Sequence, residues 1–148
     1  MQLKKVAKKE EKPSVDRSKL GKRSKAKGSN YERTIAKKFK AVYEEDLVRT
    51  PQSGGFAKKS AKANDFRGDI VPADEDIELT IHIECKNHKT WSLPAWLNQA
   101  ESDCPKGKVP VVIFHKHQSG KDYVTLSLSD FFKLVPKSSI IINKKGKQ

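Results

Sequence analysis

Three side chains in this sequence have the chemistry to hydrolyse a phosphodiester: the carboxylates of Asp69 and Glu84 and the amine of Lys86. Two carboxylates offer the hard oxygen ligands that a divalent cation takes. Such a cation polarises a phosphate and acidifies a water. A lysine beside them can orient that water or offset charge gathering on phosphorus. Leu79, Ile81, Ile83 and Cys85 alternate with Thr80, His82, Glu84 and Lys86. This period of two predicts a strand with one apolar and one polar face, on which Glu84 and Lys86 project side by side. A solvated strand face has the same alternation, and a Glu-x-Lys triplet alone carries little weight. Gly68-Asp69, one hairpin earlier, moves the balance toward a metal site, because Gly68 lets a backbone or ligand come close.

The elements that must position these groups follow from the pattern on either side. A strand over 66–71 delivers Asp69, a polar turn spans 72–76, and the strand with Glu84 and Lys86 covers 78–86. Upstream, Ser29 is a good helix N-cap, and Tyr31, Ile35, Phe39 and Val42 recur at helical spacing to about Tyr43. Ser29-Asn30-Tyr31-Glu32 reads as a capping box, with Glu32 reaching back to the Ser29 amide. Equally, Glu32 near the buried edge of that helix could help hold a metal or its water. Residues 47–50 read as a short strand ended by Pro51. The loop over 52–64 carries Ser53-Gly54-Gly55 and then Lys58, Lys59 and Lys62. Its glycines either make a flexible turn or let the loop approach a phosphate that Ser53 would hydrogen-bond. The position between Arg49 and the lysines favours nucleic acid.

Beyond the Glu84 strand, Ser92 can cap a second helix, with Pro94 in its first turn and Trp96 and Leu97 facing inward. The apolar run over 109–114 predicts a strand buried on both faces. A turn over 118–121 leads to the alternating residues 123–128, and Ser129 caps a last helix to about Val135. The order α-β-β-β-α-β-β-α makes an α/β sandwich around a mixed central sheet.

Composition bounds the setting. A chain of 148 residues has room for one domain with a modest core. Its net charge is +13, of which residues 1–27 supply +8 and the other 121 residues +5. So basic a chain is expected beside polyanions, nucleic acid first. Residues 1–27 are lysine-rich and poor in large apolar side chains, and are expected to be disordered when free. They lack the apolar face a membrane-surface helix needs. No apolar run approaches the roughly 20 residues that cross a bilayer, and no signal peptide is visible. The two cysteines, Cys85 and Cys104, fit a reducing compartment, so the expected location is the cytosol. The four histidines and two cysteines match no paired zinc-ligand spacing.

The run 28–33 (Gly-Ser-Asn-Tyr-Glu-Arg), Arg49 followed by Ser53-Gly54-Gly55, then Gly68-Asp69-Ile70 and Ile83-Glu84-Cys85-Lys86 resemble the archaeal-type Holliday junction resolvases. These belong to the PD-(D/E)XK nuclease superfamily, and related resolvases occur in bacteriophages. The similarity covers residues 28–135. It implies a restriction-endonuclease-like α/β core, a mixed central sheet flanked by helices, occupying residues 28–136. A basic N-terminal tail (1–27) and a basic C-terminal tail (137–148) would lie outside it. By motif, Asp69 and Glu84 would be ligands of Mg2+, or of Mn2+, joined by the Cys85 carbonyl and by Glu32 from the helix. Lys86 would be the catalytic lysine and Ser53 the loop serine that activity requires. Arg49, Arg33, Lys58, Lys59 and Lys62 would contact DNA, and Gln99 resembles the polar helix residue that lies over such a site. At Gly68 the chain departs from the proline of the superfamily name. The implied function is cleavage of branched or four-way DNA by a homodimer, in a prokaryotic or phage-infected cell. The alternatives are another nuclease on this scaffold, restriction-like or repair, cutting duplex or flapped DNA, and a non-catalytic DNA-binding protein.

Overall fold

The computed structural model describes residues 17–50, 67–74, 76–116 and 119–140. The loop with Ser53, Lys58, Lys59 and Lys62 therefore lies outside the described residues, as do residues 1–16 and 141–148. Helix α1 (Arg17–Tyr43) leads into strand β1 (Leu47–Arg49), and β2 (Ile70–Pro72) and β3 (Ile81–Lys86) follow. Helix α2 (Leu93–Asp103) crosses to β4 (Val109–Lys116), which turns into β5 (Lys121–Thr125), and helices α3 (Leu128–Leu134) and α4 (Lys137–Ile140) close the order. The five strands lie in chain order across one sheet. Among the described strands only β3 and β4 run parallel, because α2 is the crossover a parallel pair requires, and the other neighbours are antiparallel.

Two apolar layers sandwich that sheet. Tyr31, Ile35 and Ala36 of α1 pack on Leu47, Ile70, Ile83, Val111 and Ile113. On the opposite face, Trp96 and Ala100 of α2 pack on Val112 and Phe114. Every residue of the 109–114 run except Pro110 is buried, as its unbroken apolar character predicts.

Several boundaries differ from the sequence expectation, each for a physical reason. Helix α1 begins at Arg17, so residues 17–27 are helical rather than disordered, and Ser29 is interior to the helix instead of capping it. Lysine, arginine and alanine are good helix formers, and extending an existing helix costs little once Tyr31, Ile35 and Ala36 have anchored it. Strand β2 starts at Ile70 and not near Phe66, because Gly68 sits at φ +103°, outside the extended conformation of a regular strand. Strand β3 starts at Ile81, and its polar face is not solvated. His82 and Glu84 are 1% and 6% exposed, because α2 roofs that side of an interior strand. The last helix is capped by Ser127, not Ser129. The Ser127 hydroxyl accepts the Asp130 amide at 3.1 Å and donates to the Asp130 carboxylate at 2.7 Å, a reciprocal pair that needs an acid three residues on.

Candidate active site

Asp69 occupies the point where β2 leaves β3. Its backbone N–H donates to the Ile83 carbonyl at 2.8 Å, and its Oδ2 accepts the Cys85 N–H at 2.7 Å. The carboxylate is thus tied to the strand that carries Glu84 and Lys86. Thr50, buried at the end of β1, fixes the same turn from the other side. Its N–H donates to the Asp69 carbonyl at 3.0 Å and its hydroxyl to the Gly68 carbonyl at 2.7 Å. Gly68 is required twice over. A Cβ there would stand 3.0 Å from the Ile83 carbonyl and 3.2 Å from Nδ1 of the buried His82, at a φ that L-residues rarely adopt. Proline, locked near φ −65°, cannot replace it, which accounts for the departure from the superfamily's proline.

Glu84 and Lys86 share the α2 face of β3. The Lys86 amine donates to Glu84 Oε2 at 3.0 Å and to Gln99 Oε1 of α2 at 2.8 Å. Gln99 Nε2 also lies 3.5 Å from the same carboxylate oxygen, so the lysine is held between two acceptors. Glu32 approaches from α1 and forms an ion pair with the Arg49 guanidinium. It does not make the capping box, since Ser29 is mid-helix. Arg33 turns along the helix surface to Asn30 at 3.1 Å.

The electrostatics register this gathering of acids. The Asp69 carboxyl is pushed up to about 7, first by burial and then by the Glu84 charge. Glu32 adds to that push, against the pull of the Cys85 N–H and of Lys86. Burial likewise pushes the Cys85 thiol up, so its sulfur is no ligand for a hard cation, whereas its carbonyl has the right oxygen chemistry. His82 is held neutral, burial lowering it more than Glu84 raises it.

Among the described residues, no group of three or more His, Cys, Asp or Glu is gathered so as to hold a metal ion. A hard divalent cation fits the donor set nonetheless. Mg2+ characteristically takes one or two carboxylates and fills its octahedron with water and substrate phosphate. Two neighbouring acids whose negative charges repel each other are chemically matched to it. Of the residues expected from sequence, the structure brings Asp69, Glu84, Lys86, Glu32, Arg49, Cys85 and Gln99 into one region. Thr50 and His82 were missed. Nothing at the sequence level marks a threonine before a proline as a brace, and His82 reads as one more residue of a polar strand face.

Residues 23–148 match the model of a family described as "Phage putative PDDEXK endonuclease". The chain belongs to this family. No curated protein and no solved structure matches it. Membership makes it a PD-(D/E)XK endonuclease, a phosphodiester hydrolase acting on DNA, and the five-stranded mixed sheet with flanking helices is the restriction-endonuclease-like fold of that superfamily. Such nucleases generally use divalent metals such as Mg2+. No helix among the described residues is long and apolar enough to cross a membrane.

Proposed function

We propose that this endonuclease is Mg2+-dependent and structure-selective, and that its substrate is the four-way (Holliday) DNA junction, resolved by paired cuts. The observation that supports the catalytic assignment is the meeting of Asp69, Glu84 and a doubly held Lys86 where β2 parts from β3. Asp69, Glu84 and the Cys85 carbonyl would hold the metal, with Glu32 completing the site. The ion supplies charge neutralisation at the phosphate and a more acidic water. The chain's own groups orient the reactants. The Cys85 N–H aims the Asp69 carboxylate. Glu84 and Gln99 fix the Lys86 amine, which stabilises the charge developing on phosphorus as water attacks in line, leaving a 5′-phosphate and a 3′-hydroxyl. In this reading Arg49 and Ser53 contact the phosphate, and Arg33, Lys58, Lys59 and Lys62 grip the backbone.

A four-way junction has approximate two-fold symmetry, so paired nicks call for a two-fold dimer. Phe131 and Phe132 of α3, 37% and 62% exposed, are the apolar side chains proposed for that contact. Residues 28–136 form the proposed nuclease domain, between a basic arm (1–27) and a basic C-terminal tail (137–148), in the cytosol of a prokaryotic or phage-infected cell. The arm's last turns support a DNA-gripping role. Arg23 and Lys27 share one helical stripe with Asn30, Thr34 and Lys38, lining a cavity of about 690 Å3 beside Asn87 and His115.

Two comparisons test the proposal. Cleavage of a four-way junction is set against that of a linear duplex of the same sequence, and preference for the duplex would replace junction resolution with a restriction-like or repair activity. Asp69→Ala and Glu84→Ala should abolish cutting while junction binding survives. Normal cutting by both would remove the catalytic assignment.

A further inference from the structure

The row of side chains that begins at Lys86 continues sideways across the sheet. Lys86 is the register partner of Phe114 on β4, and Phe114 is the register partner of Tyr123 on β5. Register partners project from the same face, so amine, ring and ring stand abreast on adjacent strands, the last about 10 Å from the first. Trp91, in the segment joining β3 to α2, lies over the middle of this row. Its ring meets Phe114 edge-on at 4.9 Å and stands 6.5 Å from Tyr123, which stacks on Phe114 at 5.7 Å. Trp96 of α2 closes the inner side at 6.0 Å from Phe114. Phe114 and Trp96 are buried, but Trp91 and Tyr123 stay 41% and 39% exposed. The core therefore uses one side of this cluster and leaves two aromatic surfaces in water.

We infer that Trp91 and Tyr123 form a stacking platform for unpaired bases of the DNA substrate, next to the phosphate that Lys86 contacts. This rests on the nuclease assignment of Lys86 and deepens it by naming what distinguishes branched DNA. Three features favour bases over a protein partner. The platform is continuous with the Lys86 row. It is edged by the exposed cations Lys89, Lys116 and Lys121, the last two being register partners at the open end of β4 and β5. The carboxylate beside them, Asp122, is already bonded to Tyr31, Lys38 and His115. Aromatic rings interleaved with cations take single strands without regard to sequence, since every base has a π-face. Within a duplex those faces are covered by neighbouring base pairs. Only splayed or unpaired nucleotides, as at a branch point, can lie on the platform.

The test uses the full chain in EDTA, so that nothing is cut, and follows tryptophan fluorescence during titration with three DNAs. These are a single-stranded oligonucleotide, a four-way junction and a linear duplex of matching sequence. Quenching is expected with the single strand and the junction and should disappear in Trp91→Leu, leaving the buried Trp96 silent. Trp91→Leu and Tyr123→Leu should each weaken single-strand and junction binding about 10-fold and leave duplex binding unchanged, the loss of one stacked base. Thermal melts of both variants establish that they are folded. Wild-type affinity of both folded variants for all three DNAs, or quenching that persists without Trp91, overturns the platform. So does a change in oligomeric state on ultracentrifugation with DNA binding intact, which would make the patch a contact between copies. Should the wild type instead cut duplex in preference to junction, the junction reading fails while the single-strand titration still decides the platform.

Discussion

Asp69→Asn should make the metal-free protein more stable, not less, by a margin that grows as pH rises from about 4 to about 7. The Asp69 carboxyl is raised from 3.8 to about 7, by burial first and by Glu84 second. A carboxyl raised in the folded state contributes stability that is fully present below its unfolded value, near 4, and is lost as pH rises through about 7. A shift of about three units corresponds to at most ~4 kcal/mol. Relaxation and solvent access near the turn reduce the expected gain to ~1–2 kcal/mol at about pH 8, a rise in Tm of several degrees. The asparagine keeps an oxygen for the Cys85 N–H, so the geometry of the turn survives. Calorimetry in EDTA from about pH 4 to pH 8 should give wild-type and variant curves that converge at the acid end and separate at the alkaline end. Adding Mg2+ should then reverse the order, raising the wild type by about 2.7 kcal/mol at 100 times Kd and leaving the variant unmoved. A variant no more stable than wild type at alkaline pH, or a difference independent of pH, would show that neither burial nor Glu84 raises the Asp69 carboxyl.

Other perturbations test the supports of the site. Gly68→Ala forces a Cβ to 3.0 Å from the Ile83 carbonyl at φ +103°, and should cost ~1–3 kcal/mol in denaturant titration and lower cleavage with it. Thr50→Val keeps the shape but leaves the Gly68 carbonyl without its hydroxyl partner. A loss of ~1–2 kcal/mol is expected, with cleavage reduced more than DNA binding. Asp122→Ala removes the acceptor shared by Tyr31, Lys38 and His115, and should destabilise by ~2–3 kcal/mol at neutral pH. Burial alone would raise this acid, but the three hydrogen bonds together lower it, so its contribution is present above pH ~4 and lost on acidification, and the difference between the two proteins should shrink as pH falls below ~4. Deleting residues 1–27 should weaken DNA binding and flatten the slope of log affinity against log salt by about 0.9 per lost phosphate contact, and an unchanged slope would end the arm's proposed role.

What could be read from sequence here was whatever had a hydrophobic pattern. The strand with Glu84 and Lys86 alternates, β4 is an unbroken apolar run and α1 carries the helical period, and the element order follows largely from them. Asp69 was legible because a glycine precedes it. Boundaries failed where two rules competed. Ser29 and Ser127 both begin an S-x-x-acid pattern, yet only Ser127 caps a helix. Nothing before Ser127 can extend a helix, since β5 runs to Thr125, whereas residues 17–28 before Ser29 readily do. Glu32 was consequently free to meet Arg49 rather than its own helix end.

The braces of the site had no such signal, because they act through tertiary contacts. Thr50 follows β1 and Gln99 lies on α2, and each is informative only once those elements are adjacent to the turn at 68–69 and to β3. Their arrangement explains why Asp69 can be so unfavourably placed and still be held there. The turn at 68–69 is fixed by four hydrogen bonds, three of them involving main-chain groups of Asp69 or Gly68 and one the carboxylate itself. Backbone bonding fixes Asp69 whether or not its carboxyl is charged, so the cost of crowding Glu84 and Glu32 around it falls on global stability instead of on local geometry. A site built this way has its geometry set by the backbone, and Asp69 would present its carboxylate to a bound cation without rearrangement of the turn.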